Sequence, residues 1–275
     1  MLLSQAHHGT GEPAVRCDYH IHTRYLGCGN ATMEVAAIAA RCEGLGLGSI
    51  AITDHVNRME DIPKHQAIAQ DIKQLETTVG VHFGVELNFM GADGNFAYSE
   101  QIRDELGFQF AIGGVHETYL DGYDLERLVA VQHRHHLRTC ADPLVAVLVH
   151  PWWFGRGEFE TKGYPWFCDL AAVPGSLMRE LADAAVGTQT AIEVNATAIL
   201  VNPHYGPRFQ AQYRDFLSLL NERGVHFSLG SDAHDINALD HIQAAQQLVR
   251  DIGIPLERVW HPSAPPVNVP RSPSR

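Results

Sequence analysis

Seven short apolar runs recur along the chain, each closed by a histidine or an acid and separated from the next by a segment of helical pattern, and few folds accommodate that order. The runs near 17–22, 48–53, 81–87, 109–115, 144–149, 190–195 and 225–231 read as strands. One of them, Leu144-Val145-Ala146-Val147-Leu148-Val149, has no polar alternation and must be buried on both faces. Segments 32–45, 60–78, 123–140, 175–187, 207–223 and 236–251 read as helices; Met33, Ala36, Ala37 and Ala40 recur at the i, i+3, i+4, i+7 spacing of one helix face. Strand followed by helix, repeated, implies parallel pairing through right-handed crossovers, hence an α/β barrel jacketed by helices. A chain of 275 residues with 45% hydrophobic content can bury one large core, so residues 16–260 are expected to form a single domain. Residues 1–15 and the Pro/Ser-rich 261–275 read as poorly ordered tails.

The polar residue at the end of each run is the functional signal. In Cys17-Asp18-Tyr19-His20-Ile21-His22-Thr23 the two histidines stand two residues apart. In a strand they share a face about 6.6 Å apart, so both imidazoles reach one cation. Asp54-His55, Glu86, His116, His150, Glu193 and Asp232-Ala233-His234 close later runs. A lone histidine after a strand is more often a satisfied core or loop residue, and this chain has 17 of them; the recurrence carries the reading, not any single position. His7 and His8 lie in a polar stretch, and His133, His135 and His136, set among Arg134 and Arg138, read as a solvated helix face. In a parallel barrel all strand C-termini open on one mouth, so the listed side chains converge there. They outnumber what one tetrahedral ion needs, which points to two or three metals.

Charge and cysteine usage narrow the partners. A formal charge of −12 without a basic stripe disfavours nucleic acid and anionic membranes. Five cysteines, Cys17, Cys28, Cys42, Cys140 and Cys168, include no C-x-x-C pair, which argues against a disulfide framework and fits a reducing compartment. With no signal-like start and no apolar stretch approaching about 18 residues, a cytoplasmic location is expected. Oligomeric state is not legible.

The ordered set His20-x-His22, Thr53-Asp54-His55, Gly84-Val85-Glu86, Gly114-Val115-His116, His150-Pro151, Glu193-x-Asn195 and Gly230-Ser231-Asp232-Ala233-His234 resembles the PHP family, named for polymerase and histidinol phosphatase, in its stand-alone form. The resemblance implies a distorted seven-stranded (β/α) TIM-like barrel and metal-dependent hydrolysis of phosphoesters with zinc, manganese or iron. By motif, His20, His22, Glu86 and Asp232 hold one metal, and Glu86 bridges to a second held by His116 and His150. A third takes His55 and His234. In the family a further histidine lies six residues after the second histidine of the first motif, and this chain has Cys28 there. Cys28 is either a small residue in the Gly27-Cys28-Gly29 turn or a thiolate ligand; Asn30 is a poorer substitute for imidazole. Asp54, Glu193 and Asn195 read as residues that orient ligands or assist proton transfer.

Divalent ions at such a site lower the pKa of water toward roughly 7 and stabilise charge developing on phosphorus oxygens. A small phosphorylated substrate is expected, histidinol phosphate or a nucleotide or sugar phosphate among them. The segment Pro151-Trp152-Trp153-Phe154-Gly155-Arg156 through Lys162-Gly163-Tyr164-Pro165-Trp166-Phe167 is either a pocket wall or a loop packed by its own aromatics. Arg208, Arg156, His204 and Arg24, with Arg58 and Lys162, are candidate anion contacts. Two other functions stay open: an amidohydrolase-type C–N hydrolase, which needs a bridging lysine at a strand end, and a non-catalytic barrel that keeps its metals.

Overall fold

The computed structural model describes residues 15–57, 59–92, 96 and 100–271; Arg58 and most of the expected N-terminal tail lie outside them. In chain order the main elements are β1 (Cys17–Asp18), α1 (Val35–Gly44), β2 (Ser49–Ile52), β3 (His55–Val56), α2 (Ile62–Lys73), β4 (Gly80–Asn88), α3 (Glu100–Leu106), β5 (Phe110–Gly114), α4 (Leu125–Ala141), β6 (Val145–Leu148), α5 (Arg156–Lys162), α6 (Gly175–Thr188), β7 (Ala191–Asn195), α7 (Pro207–Glu222), β8 (Phe227–Gly230) and α8 (Ile242–Asp251). Neighbouring strands run parallel in the order β1-β2-β4-β5-β6-β7-β8.

β3 is not an additional barrel position. It pairs with β4 in the register that β2 sets, Ile52 opposite Phe83 and His55 opposite Glu86. The break falls at Thr53-Asp54, where Thr53 N donates to Ile21 O at 2.9 Å and the Asp54 carboxylate turns to the backbone N–H of Thr23. The seven positions then close on themselves: Tyr19 N donates to Leu229 O, Asp232 N to His20 O (both 2.8 Å) and His22 N to Ala233 O (3.2 Å). This is the distorted seven-stranded α/β barrel the sequence implied, with the first and last strands stitched beside His20, His22 and Asp232.

Ile21, Ile50, Val81, Val85, Ile112, Val147, Ile192, Val194 and Leu229 are buried inside the sheet or beneath its helices. Each such side chain stabilises the fold by roughly 1.5–3 kcal/mol. Helix starts follow local rules. Asp124 caps α4 by accepting from Arg127 N, and Pro207 occupies the first turn of α7, where its missing N–H costs nothing.

Two expectations change and one open alternative is narrowed. His133, His135 and His136 do not form a solvated face; all three are buried. His133 stacks on Trp152 and pairs with Glu180, and His136 meets the Trp152 ring edge-on. His135 stacks on Phe89, its Nε2 within 3.1 Å of Gly91 O and Ala92 O. The basic flanking residues misled, because the apolar partners of these rings come from distant loops. Second, segment 151–167 contains α5, and Trp152, Phe154, Phe159 and Phe167 are buried in it, which supplies the loop with its own core. Third, residues 261–271 do not trail away: Val267 N donates to Val81 O, and Asn268 Oδ1 accepts from Val81 N while its Nδ2 donates to Val79 O. Proline and serine there exclude a helix, not order.

Candidate metal centre

Glu86 is the hub of the barrel mouth. It lies two residues before the end of β4, a strand buried along nearly its whole length, so its carboxylate is shut off from bulk solvent. Its Oε1 lies 3.0 Å from His116 Nε2 and 3.2 Å from His150 Nε2. Its Oε2 lies 3.0 Å from His55 Nδ1, 3.2 Å from His20 Nε2 and 3.3 Å from His22 Nε2. Each oxygen therefore faces a different group of imidazoles, the arrangement of a bridging carboxylate. Burial pushes Glu86 upward, but His55, His116 and His20 outweigh it and hold the group ionised, well below the usual range. Asp232 Oδ1 sits 3.5 Å from Nε2 of both His20 and His22 and 3.6 Å from His234 Nδ1.

Depth divides the donors. His20, His22 and His150 are sealed, whereas the side chains of His55, His116 and His234 are 18%, 23% and 40% exposed and rim the mouth. Donor atoms cluster in three sets, His20/His22/Asp232, His55/Glu86/His116 and His22/Cys28/His55/His234. His20 Nε2 and His22 Nε2 approach to 2.9 Å, a spacing that needs a proton or a shared cation between two lone pairs. Imidazole, carboxylate and thiol together suit borderline divalent ions such as zinc or iron, and the imidazole–carboxylate sets also suit manganese, so the donor chemistry fits a multinuclear centre.

The supporting residues explain how the ligands are aimed. Glu193 Oε1 takes His20 Nδ1 at 2.7 Å, and its Oε2 accepts from His150 N and Asn195 Nδ2. Asn195 also donates to Asp232 and accepts from Ala198 N, which begins the wide helical turn at Ala196–Leu200. Asp54 spends both oxygens on the backbone N–H of Thr23 and so fixes the turn after His22. Two candidate ligands hold left-handed backbone, His150 at φ 31° and Asp232 at φ 54°, each costing about 1–3 kcal/mol. The bonds His150 N to Glu193 and Asp232 N to His20 O hold that strain in place.

Comparison with known proteins agrees with this geometry. The PHP domain model matches residues 18–155, from just before the first histidine pair to just past His150. The chain belongs to the PHP domain family. Over 248 residues it is 27% identical to a Shigella flexneri protein named "Probable phosphatase YcdX", covering 90% of this chain and 89% of that one. The Escherichia coli K12 protein of the same name is 26% identical over the same span. In fold the chain is similar to the crystal structure of the "putative histidinol phosphatase hisK" from Listeria monocytogenes, with a TM-score of 0.59 over 82% of this chain and 97% of that one. At 14% identity that likeness speaks for the barrel alone.

Within this PHP barrel the side chains that the motifs offer as candidate ligands all come together, Cys28 included, but the candidate anion contacts are engaged elsewhere. Arg208 pairs with Asp169, Arg24 with Glu34, and Lys162 with Glu158. Arg156 bonds Glu160 and His204 and lies over the Trp166 ring. Asn30 caps a turn through Thr32 N and Asp235. Three further contributors were not singled out from sequence, although Trp153 lies in the segment read as either a pocket wall or a self-packed loop. Trp153, half-buried, sets its ring 5.0 Å from His150 and 6.0 Å from His116. Asp18, fully buried, accepts from His20 N and Ser231 N and ties the two ligand strands. Gly230 leaves the gap into which Glu193 and His20 fit. Asp18 had a visible signal, an acid inside an apolar strand two residues before a ligand; Trp153 had none that set it apart from Trp152.

Proposed function

We propose that the chain is a metal-dependent phosphatase acting on a small phosphomonoester at a centre of two or three divalent ions. The observation that carries this reading is Glu86, a single buried carboxylate whose two oxygens each face a separate group of histidines. When bound, ions of the zinc, manganese or iron class supply Lewis acidity and water activated at neutral pH. The protein's own contribution is positional. His20, His22 and Asp232 hold the deep position; Glu86, His116 and His150 hold its neighbour; and Glu193 fixes the ring of His20 and the backbone of His150 together. The walls exclude bulk water, which strengthens every electrostatic contact inside.

The substrate's phosphoryl group enters between the rim imidazoles of His55, His116 and His234, while Trp153 offers an aromatic face to whatever the phosphate is attached to. That favours a small molecule carrying a ring, histidinol phosphate or a nucleoside or sugar phosphate. The names of the Shigella, Escherichia and Listeria relatives point to the same chemistry. C–N hydrolysis of the amidohydrolase kind finds less support. The chain's lysines are Lys64, Lys73 and Lys162; Lys64 pairs with Asp61 and Lys162 with Glu158, Lys73 lies in the last turn of α2, and Glu86 fills the bridging place.

The test is a panel of phosphomonoesters, phosphodiesters and amides, assayed on protein whose metals have been counted by elemental analysis. Turnover of monoesters with loss on chelation is expected. Metal-replete protein that hydrolyses no phosphoester would overturn the reading, and turnover of amides instead would favour the C–N hydrolase.

A further inference from the structure

Two of the donor sets are made of nitrogen and carboxylate oxygen alone. The third is different, because Cys28 contributes sulfur beside His22, His55 and His234, with all four donor atoms inside 4.8 Å of one another. The thiol reaches the set through a turn whose backbone is fixed at both ends. Gly27 holds φ at 83°, Gly27 N donates to Arg24 O, and a Cβ on Gly29 would fall 2.6 Å from Thr23 O, so the chain can fold back this tightly only with glycine there. On the far side, Asn30 N donates to His234 O at 2.9 Å, which ties the turn to the strand-end loop that carries another member of the set. The result is Cys28 Sγ at 3.8 Å from His22 Nδ1, facing a fully buried imidazole. Cys17, Cys42 and Cys140, by contrast, are buried among apolar neighbours, and Cys168 is exposed on the surface.

We propose that Cys28 is a thiolate ligand which, with His55 and His234, makes a sulfur-bearing third metal position selective for zinc-class cations. Rigid presentation beside two imidazoles, not the presence of a cysteine, is what supports this. Thiolate donors favour zinc and cobalt over manganese, whereas the imidazole–carboxylate sets around Glu86 and Asp232 accept harder ions as readily. The centre is then chemically heterogeneous: two positions tolerant of several metals, and one rim position that is not. Metal binding deprotonates the thiol and removes its nucleophilic lone pair from solvent, so the same ion that fills the position also shields Cys28 from alkylation.

This inference rests on the metal-centre reading, and the experiment separates the two. Full-length protein with Cys168→Ser is stripped, loaded with cobalt(II) and examined by absorption spectroscopy, with metal counted in parallel. A near-ultraviolet thiolate-to-cobalt charge-transfer band is expected, lost in Cys28→Ser together with one equivalent of metal. Cys28→His should also lose the band but keep the full metal count, a result no folding defect produces. On the parent protein, zinc should slow maleimide labelling of Cys28 by about tenfold or more, read by mass spectrometry, while manganese should leave it nearly as reactive as in the stripped protein. Cobalt bound without the band, or a Cys28→Ser variant that keeps the same band and count, overturns the thiolate ligand alone. Protein that takes up no cobalt at all overturns the metal centre as well.

Discussion

Nδ1 of His20 lies 2.7 Å from Oε1 of Glu193, and the other oxygen of that carboxylate accepts from the backbone N–H of His150. One buried acid thus sets the ring of a candidate ligand just past β1 and the main chain of another just past β6. With Nδ1–H donating to Glu193, Nε2 of His20 is the nitrogen left for a cation. Replacing Glu193 with Gln keeps the shape but removes the charge that holds this tautomer. Metal affinity should fall by about 10–100-fold, read by competition with a chromophoric chelator. Unchanged affinity would mean that Glu193 serves only the backbone.

Gly230 permits that pairing. A Cβ there would lie 2.0 Å from Glu193 Oε1 and 2.6 Å from His20 Cβ, and neither neighbour can retreat because both are packed and bonded. Gly230→Ala should lower stability by about 1–3 kcal/mol and reduce metal content, measured by urea unfolding and elemental analysis. Gly44→Ala, at a position where a Cβ meets nothing within 4 Å, is the control and should do neither. Equal behaviour of the two variants would sink the account.

Much of this convergence was legible in sequence because the candidate ligands sit where a periodic rule puts them. His22, His55, Glu86, His116, His150 and Asp232 each follow an apolar run, and a parallel barrel has only one mouth to which such residues can point. What was not legible depends on partners far away in the chain. His136 looked solvated beside Arg138 because the ring that covers it, Trp152, arrives from another loop. Likewise nothing local distinguishes Trp152, which is sealed, from Trp153, which faces the ligands; the left-handed backbone at Trp152 decides it.

Trp153 stands against His116 and His150 without occupying a ligand position. If it forms the wall for the substrate's organic part, Trp153→Ala should raise KM by about tenfold, the loss of one aromatic contact, with a smaller change in kcat. Metal content should stay as in the parent. A fall in kcat at constant KM would assign Trp153 to ordering the ligand rings instead.

His136 gives the barrel an acid-sensitive element away from the mouth. Its ring is buried at 1% exposure against Trp152, and burial, reinforced by the nearby His133, His135 and His150, holds its pKa well below the ordinary value of 6.5. In the unfolded chain the ring titrates near 6.5. Between the two values the unfolded state binds the extra proton, so stability rises with pH across that window and is lost as pH falls below about 6.5. The limiting slope is about 1.4 kcal/mol per pH unit for one group, and the acid penalty is absent at pH 8. His136→Met keeps an apolar filler and cannot charge. Its urea midpoint should lie somewhat below the parent's at pH 8, and the gap should narrow or reverse by pH 5, with metal content matched between the proteins. A gap that stays constant over that range would show that His136 is not charged on unfolding.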